Sequence, residues 1–405
     1  NILYEILTIC KDRMEKVVST LPITSRNRIS NAKVQGIITG GLLAHHLGAD
    51  FTPWLGLNGR NSDTSVSAQN LFSTIALAYG PKNSTHIQSD INPSYVDFVQ
   101  SSTDQLIKDG LLDLKESKLF TCECGIVQIE RDALDKMQIE KLQNIRRSLG
   151  VYACVHCDTR LVPETSLQIV STPQLYESLL DSVSDMFPQS SVQAKAQSVI
   201  EESAARQKVL SRLSSKTQGI VVNIDGDKFT LDPDFSLLFT SAYSGSKRET
   251  ALISGIRQIE RVVGSMAVFK ALEPSGKVIS LLHPRIFVKP DNSLLSSPVG
   301  TDNESVIYSA LITASSLSWK NHESRLSETD ASMLLKMTSS IAAYEDCIAV
   351  DCLSKIVRPT HKNSISSFMR LYSPQYIRTV LKAIRKKRIQ PQSDEATLIS
   401  DILKL

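Results

Sequence analysis

The chain has 405 residues, of which 41% are hydrophobic and 21% are charged. This is the composition of an ordinary folded protein, and the length suits roughly two to four domains. The formal net charge of +3 excludes a general attraction to nucleic acid and leaves room only for a local basic patch. The sequence has no run of about eighteen apolar residues, so we expect no membrane-spanning helix and no membrane partner.

The first predicted elements form an α/β unit. Residues 1–30 are predicted to be helical and lack the layout of a signal peptide. The apolar, β-branched run Val34–Thr39 predicts a buried strand, and Gly40–Gly41 predicts a turn into a helix. Such a unit is typical of nucleotide-binding folds but is too short to identify one. Because the chain starts at Asn1, the sequence leaves open whether its N-terminus is complete.

The remaining elements alternate between strands and helices and then become helical. Tyr95, Val99 and Leu106 share one face of a predicted helix over 92–110. Strands are predicted within 111–130, 150–164 and 277–289 and a hairpin over 219–232; helices are predicted over 67–80, 131–149, 173–188, 192–213 and 247–272, and almost throughout the chain from 304 onward. The pattern predicts two α/β segments separated by an insert and followed by an all-α region.

Four of the seven cysteines stand in two close pairs, Cys122 with Cys124 and Cys154 with Cys157, and 29 residues separate the pairs. Four thiolates on two short loops are the ligand set of tetrahedral Zn²⁺ in structural sites. A closed set of four ligands leaves no coordination position for a substrate, so the ion would brace the fold. The first pair is tighter than usual, and unrelated structural thiols are the alternative. Sparse cysteines otherwise favour the cytoplasm or another reducing intracellular compartment.

Three stretches carry a resemblance to a known family. ITGGLLAHHLGADFTPWLGLNGRNSDTS looks like a first strand with a His-x-Gly-His region, SDINPSYVDFVQSSTDQLIKDGLLDLKESKLFTCECG looks like the start of a connective insert, and VISLLHPRIFVKPDNSLLSSPVG looks like a strand with a Lys-Met-Ser-Lys-Ser loop. In this order they resemble a class I aminoacyl-tRNA synthetase of the methionyl, leucyl and valyl branch. The resemblance covers about residues 30–400 at low similarity.

The resemblance implies an α/β architecture in four parts. A Rossmann-like catalytic fold is split by a zinc-knuckle insert and followed by an α-helical C-terminal domain that resembles an anticodon-binding bundle. We expect an N-terminal helix with the first Rossmann-like half over 1–85, the insert over 86–215, the second half over 216–305 and the helical bundle over 306–405.

The family's signature groups are incomplete in this chain. In the family, two histidines of the His-x-Gly-His motif contact the ATP phosphates. His46 and Gly48 match its first part, His45 adds an imidazole one position earlier, and Ala49 stands where the second histidine would be. The loop aligned with the lysine signature, Leu294–Gly300, has no lysine. Because each such contact is typically worth about a hundredfold in rate, the resemblance implies severely weakened amino-acid activation.

Other candidate residues have a functional and a structural interpretation. By resemblance, Asp50 and Asp63 would bind an amino group or a ribose, and His283 would face the ATP cleft together with His46. Carboxylates of this kind more often cap helices or turns, and a buried histidine is often structural. Lys336–Ser340 has the letters of the lysine signature but is predicted to be an ordinary amphipathic helix.

A basic run near the C-terminus, Arg385, Lys386, Lys387 and Arg388, suits contact with RNA phosphates, or is a solvated helix end.

Three functions therefore stay open. The first is a synthetase-like binding or structural subunit of a larger assembly, with impaired catalysis, that contacts tRNA or other RNA. The second is an active ATP-dependent enzyme that charges tRNA or another acceptor. The third is a zinc-stabilised module that binds nucleic acid or protein.

Overall fold

A five-stranded parallel sheet organises the chain. Its order is β11-β10-β1-β2-β3, so strands from the two halves of the chain meet at β1. The strands are β1 (Lys16–Pro22), β2 (Asp50–Gly56), β3 (Gln88–Ser89), β10 (Glu249–Gly255) and β11 (Lys277–His283). Everything between β3 and β10 is thus an insertion between two halves of one sheet.

This computed structural model describes residues 14–22, 31–57, 62–81, 83–121, 127–129, 162–212, 219–245 and 249–289, with short pieces between 308 and 334 and the single residues 365 and 369. The predicted zinc cysteines, the loop 290–300, Lys336–Ser340 and the basic run 385–388 lie outside the described residues.

The predicted strand and glycine turn at Val34–Gly41 are wrong, because these residues lie within helix α1 (Asn31–Leu47). The run looked like a strand because it is apolar on every side, with Val34, Ile37 and Ile38 all buried. A helix that is apolar all round is one that is covered all round. Here α1 is packed between the sheet and α2 (Ser62–Tyr79), so no polar face marks its period.

Two glycines of α1 serve close packing instead of a turn. A Cβ on Gly40 would lie 2.8 Å from a ring carbon of Phe51 on β2, and a Cβ on Gly41 would lie 2.6 Å from the backbone oxygen of Tyr79 on α2. Both separations are shorter than real Cβ contacts. The glycines therefore let α1 approach the strand on one side and the neighbouring helix on the other.

The N-terminal helix predicted over 1–30 is also wrong where the structure describes it. Residues Lys16–Pro22 form β1, at the centre of the sheet, and pair with β10 and β2 on its two sides. Val17, Val18 and Ser19 are fully buried. The β-branched run suits a strand covered on both faces, while the charges that precede it made the segment look amphipathic.

The inserted segment begins with an amphipathic helix, as predicted. Helix α3 (Pro93–Lys108) is capped by Asn92, whose side-chain oxygen accepts a hydrogen bond from Ser94 N, and its Tyr95, Val99 and Leu106 are buried. A three-stranded antiparallel sheet of order β5-β4-β6 follows: β4 (Leu112–Thr121), β5 (Val127–Ile129) and β6 (Val162–Ser171). We call β4 with β6 the ribbon, since the two strands pair over ten residues each.

The rest of the insertion packs beside the sheet. It contains α4 (Pro173–Glu177), α5 (Val183–Met186), α6 (Ser190–Ala205), β7 (Ser211–Arg212), β8 (Val221–Ile224), β9 (Asp227–Leu231), α7 (Pro233–Ser236) and α8 (Thr240–Ser244). The predicted hairpin is the β8–β9 pair, whose turn places Asp225 and Gly226 at positive φ. The helix predicted over 247–272 is wrong in its first part, which forms β10, and right in its second, which forms α9 (Ile259–Leu272).

The main core lies between one face of the sheet and the insertion. Val18, Trp54, Leu252 and Leu282 of the sheet share a buried cluster with α9 and the helices of the insertion. In the C-terminal region, β12 (Arg285–Lys289) pairs in parallel with β13 (Glu323–Ser327). That strand corrects the prediction of an almost entirely helical region, and most of the predicted bundle lies outside the described residues.

Candidate ligand site at the carboxyl edge of the sheet

Four strands of the sheet end at the same edge. Pro22 of β1 pairs with Gly56 of β2, and Gly255 of β10 pairs with His283 of β11. In open parallel α/β sheets, ligands bind outside the carboxyl ends of the strands, where the order of connections reverses. A ligand site is therefore expected at this edge of the sheet, which we call the carboxyl edge.

Four residues from four elements converge there, and we call them the carboxyl-edge site: Ser19 of β1, Gly36 of α1, Gly255 and His283. A Cβ on Gly36 would lie 3.3 Å from Ser19 Oγ and 3.5 Å from His283 Nε2, and a Cβ on Gly255 would lie 3.1 Å from His283 Cε1. The imidazole thus lies between two glycines. The absence of side chains on both leaves Nε2 facing the backbone of α1 and the end of β10.

The hydrogen bonds of these residues leave one donor and one acceptor available. His283 Nδ1 lies 3.3 Å from the Pro284 carbonyl oxygen, which can only accept, so the proton is assigned to Nδ1 and Nε2 is an acceptor. The Ser19 hydroxyl is buried without a hydrogen-bond partner among the described residues. The site can therefore accept a hydrogen bond from, and donate one to, a neutral polar group.

Burial decides the charge of His283. The side chain is 8% exposed, and burial lowers the pKa of His283 from 6.5 to about 4, while its contact with the Pro284 carbonyl acts in the opposite direction. The imidazole is neutral at pH 7. It can accept a proton or a hydrogen bond, but it supplies no positive charge to a phosphate group.

The opposite face of the sheet at this edge is filled by aromatic side chains. Trp54 is fully buried, its Nε1 donates a hydrogen bond to Ser244 Oγ at 2.8 Å, and its ring centroid lies 4.5 Å from that of Tyr95 and 5.6 Å from that of Tyr243. The Tyr95 hydroxyl donates to the Ser236 carbonyl oxygen. The structure thus places Trp54 in the hydrophobic core.

The predicted histidine pair lies at the other end of α1. His45 and His46 are in its last turn, Gly48 ends the helix at φ 64°, and Asp50 begins β2 opposite Lys16 of β1. These positions are at the amino ends of the strands. Gly36 and His46 are ten residues apart on one helix, or about 15 Å along its axis.

The structure thus separates His46 and Asp50 from His283, which the sequence analysis had expected in one cleft. Asp63 lies in the first turn of α2, which follows the carboxyl end of β2. The cysteine pairs and the basic run lie outside the described residues. Within the part of the chain that the structure describes, no three His, Cys, Asp or Glu residues are grouped to hold a metal ion, and no helix is long and apolar enough to span a membrane.

Sequence analysis missed Ser19, Gly36, Gly255 and the exposed Arg257, which lies two residues beyond the end of β10. Gly255 carried a usable signal, because a glycine after the apolar run Ala251–Ile253 is typical of the end of a buried strand. Ser19 and Gly36 carried none, and all three residues were assigned to the wrong kind of element.

Comparison with known proteins supports the architecture. No known protein-family profile matches the sequence, and no curated protein matches it. Among solved structures, Mycobacterium tuberculosis methionyl-tRNA synthetase in complex with methionyl-adenylate is similar with a TM-score of 0.58 and 9% identity, over 96% of this chain and 87% of that one.

Two further structures of that enzyme agree. The form bound by methionyl-adenylate gives a TM-score of 0.52 and 12% identity over 97% of this chain and 94% of the other. The apo form gives 0.54 and 10% over 98% and 92%. At identities this low, the matches are evidence for the fold alone. They support a mixed α/β fold with a parallel sheet like that of the class I aminoacyl-tRNA synthetases.

Proposed function

We propose that this chain is a synthetase-like protein that activates amino acids weakly or not at all and serves as a binding or structural subunit of a larger assembly. The observation that carries the proposal is the position of His45 and His46 at the C-terminal end of α1, on the amino edge of the sheet. That end of a helix carries partial negative charge and disfavours phosphates. The histidine at the carboxyl edge, His283, is neutral at pH 7 and cannot offset phosphate charge.

The test is amino-acid-dependent exchange between ATP and pyrophosphate. We expect no exchange above background with any of the standard amino acids, measured beside an active synthetase under the same conditions. Titration calorimetry with ATP and with AMP then asks whether nucleotide binding persists without chemistry. Exchange that depends on one amino acid and is lost in the Ser19→Ala or His283→Gln variant would overturn the proposal.

One observation favours the alternative, an active ATP-dependent enzyme that charges tRNA or another acceptor. Arg257 is exposed next to the carboxyl-edge site and bears a permanent positive charge of the kind that stabilises a phosphate in its transition state. If activity survives, Arg257→Ala should lower the exchange rate about a hundredfold or more. Arg206→Ala is the matched control, since Arg206 is also exposed, directly after α6, and α6 carries no residue of the carboxyl-edge site.

We also propose a structural Zn²⁺ held by Cys122, Cys124, Cys154 and Cys157. The register of the ribbon supports it, because Thr121 pairs with Val127 and with Val162. The chain therefore leaves β4 and enters β6 at the same end of this small sheet. The first cysteine pair begins directly after β4, and the last cysteine stands five residues before β6. Two chelating pairs next to the same end of the ribbon are within reach of a single ion.

Metal analysis of freshly prepared protein tests the zinc site. We expect about one equivalent of zinc, lost in Cys122→Ser and in Cys157→Ser and retained in Cys352→Ser, which removes a cysteine without a paired neighbour. A content below about half an equivalent contradicts the proposal. Because thiolates of this kind need to stay reduced, we place the protein in the cytoplasm or another reducing compartment.

The basic run Arg385–Arg388 is proposed to contact tRNA or another RNA through phosphates. Four consecutive cations on a chain with little net charge make a local patch. RNA affinity should fall steeply with salt, and replacing Lys386 and Lys387 with Gln should reduce the slope of log affinity against log salt by about two. Lys195→Gln on α6 is the control, and an RNA affinity that does not change with salt contradicts this part.

The third hypothesis, a zinc module without a synthetase-like fold, is disfavoured by the fold itself.

A further inference from the structure

Strand β11 is an edge strand of the main sheet, and one side chain seals its outer edge beside the carboxyl-edge site. Gln189 Nε2 donates a hydrogen bond to the Leu282 carbonyl oxygen at 2.9 Å, and Gln189 Oε1 accepts one from Leu282 N at 2.7 Å. Gln189 is 3% exposed. Its amide thus replaces the neighbouring strand that the end of β11 lacks.

Gln189 belongs to the insertion, in the turn between α5 and α6. Its own carbonyl oxygen accepts a hydrogen bond from Val192 N at 2.9 Å, in the first turn of α6. Gln193 Nε2 donates to the Phe187 carbonyl oxygen at 2.8 Å, which fixes the backbone on the other side. The amide is therefore presented to β11 by a turn that is hydrogen-bonded on both sides, and its orientation depends on the packing of the insertion.

The residue after Leu282 is His283, whose ring lies beside Gly36 and Gly255. Neither glycine has a side chain that could hold the ring, and within the described residues the polar contact of the ring is with the carbonyl of the next residue, Pro284. The orientation of the imidazole therefore depends on the backbone at the end of β11. We propose that Gln189 is a positioning residue for the carboxyl-edge site, through which the insertion sets the orientation and burial of His283.

A second glutamine provides a matched control. Gln100 Oε1 accepts from Asn223 N at 2.7 Å and its Nε2 donates to the Asn223 carbonyl oxygen at 3.1 Å, sealing the outer edge of β8 in the same way. Gln100 lies on α3, and neither α3 nor β8 carries a residue of the carboxyl-edge site. Loss of either clamp removes an equivalent pair of backbone hydrogen bonds, and loss of Gln100 also removes one to Asp104 Oδ2 at 3.1 Å, but only Gln189 adjoins His283.

The experiment compares Gln189→Met with Gln100→Met, since Met keeps the length of the side chain and removes both polar groups. Histidine ring signals are followed by NMR of ¹⁵N-histidine-labelled full chain across pH, and the His283 signal is identified by its absence in His283→Gln. In Gln189→Met we expect the His283 pKa to rise from about 4 toward the ordinary 6.5, because the ring gains water. In Gln100→Met we expect it to stay where it is in the unsubstituted chain.

Equal shifts in the two Met variants, or no shift in Gln189→Met, would overturn the proposal. If Gln189→Met does not fold, Gln189→Asn replaces it, because Asn keeps a neutral amide that is one methylene too short to reach Leu282 and so adds no charge beside His283. The same rise in the pKa of His283 is expected there, and its absence is equally decisive. This readout needs neither ATP nor RNA, so the inference stands or falls independently of the proposed function.

Discussion

Protonation of His283 should destabilise the protein as the pH falls. In the folded chain, burial lowers the pKa of this imidazole from 6.5 to about 4. Between these two values the unfolded chain binds a proton that the folded chain does not. Stability that is fully present above pH 6.5 is therefore lost progressively as the pH falls toward 4.

The size of the loss follows from the two pKa values. Proton linkage gives a reduction in the free energy of unfolding of about 1.4 kcal/mol between pH 8 and pH 5.5, and about 2.5 kcal/mol between pH 8 and pH 4.5. The fully protonated limit is about 3.4 kcal/mol. Since whole domains are stable by about 5–15 kcal/mol, the change is large enough to measure.

The assay is urea unfolding followed by circular dichroism at several pH values from 8 to 5. Carboxylates also titrate near the lower end, so the informative quantity is the difference between the unsubstituted chain and His283→Gln, which has no charge to gain. That difference should change by about 1.4 kcal/mol between pH 8 and pH 5.5 in favour of the variant. His86→Gln removes an exposed histidine as control. Parallel curves for the unsubstituted chain and His283→Gln would refute a buried, neutral His283.

Two further predictions concern packing, and urea midpoints check both. Trp54→Ala removes a fully buried ring and should cost about 3–5 kcal/mol, whereas Leu77→Ala, at a side chain 54% exposed, should change stability by less than about 0.5 kcal/mol. Similar losses in both would contradict the burial of Trp54. Gly41→Ala should cost about 1–3 kcal/mol, since its Cβ would meet Tyr79 backbone at 2.6 Å. Gly110→Ala, at φ +70° with open space around it, should cost only about 1 kcal/mol of backbone strain, and a larger loss than Gly41→Ala would contradict the close approach of α1 and α2.

Two of the elements that sequence analysis identified correctly have a solvent side. Helix α3 alternates buried Tyr95 and Val99 with exposed polar residues, and the β8–β9 hairpin is marked by its Asp225–Gly226 turn. Three of the elements that it missed, β1, α1 and β10, lie in the buried centre. Their apolar residues point in all directions, so the sequence has no period to distinguish a strand from a helix.

The candidate site was mispredicted for the same reason, the lack of a period in the buried α1. Once α1 was taken for a strand and a turn, His45 and His46 were counted as the start of a helix at the ligand edge, whereas they end a helix at the opposite edge. His283 was found because it ends a strand that the sequence does mark, the run Val278–Leu282. The partners of His283 come from α1, β10 and the insertion, and contacts between segments so far apart in the chain leave no local pattern.

The two glutamine clamps also bear on how the protein behaves in concentrated solution. An edge strand with free backbone groups is a template on which another chain can add a strand. Gln189 and Gln100 occupy these groups at the ends of β11 and β8, each with a single side-chain amide. Deamidation of either glutamine would set a carboxylate oxygen against a carbonyl oxygen and expose the edge. Chemical ageing at these two positions should therefore lead to association of chains through their sheets.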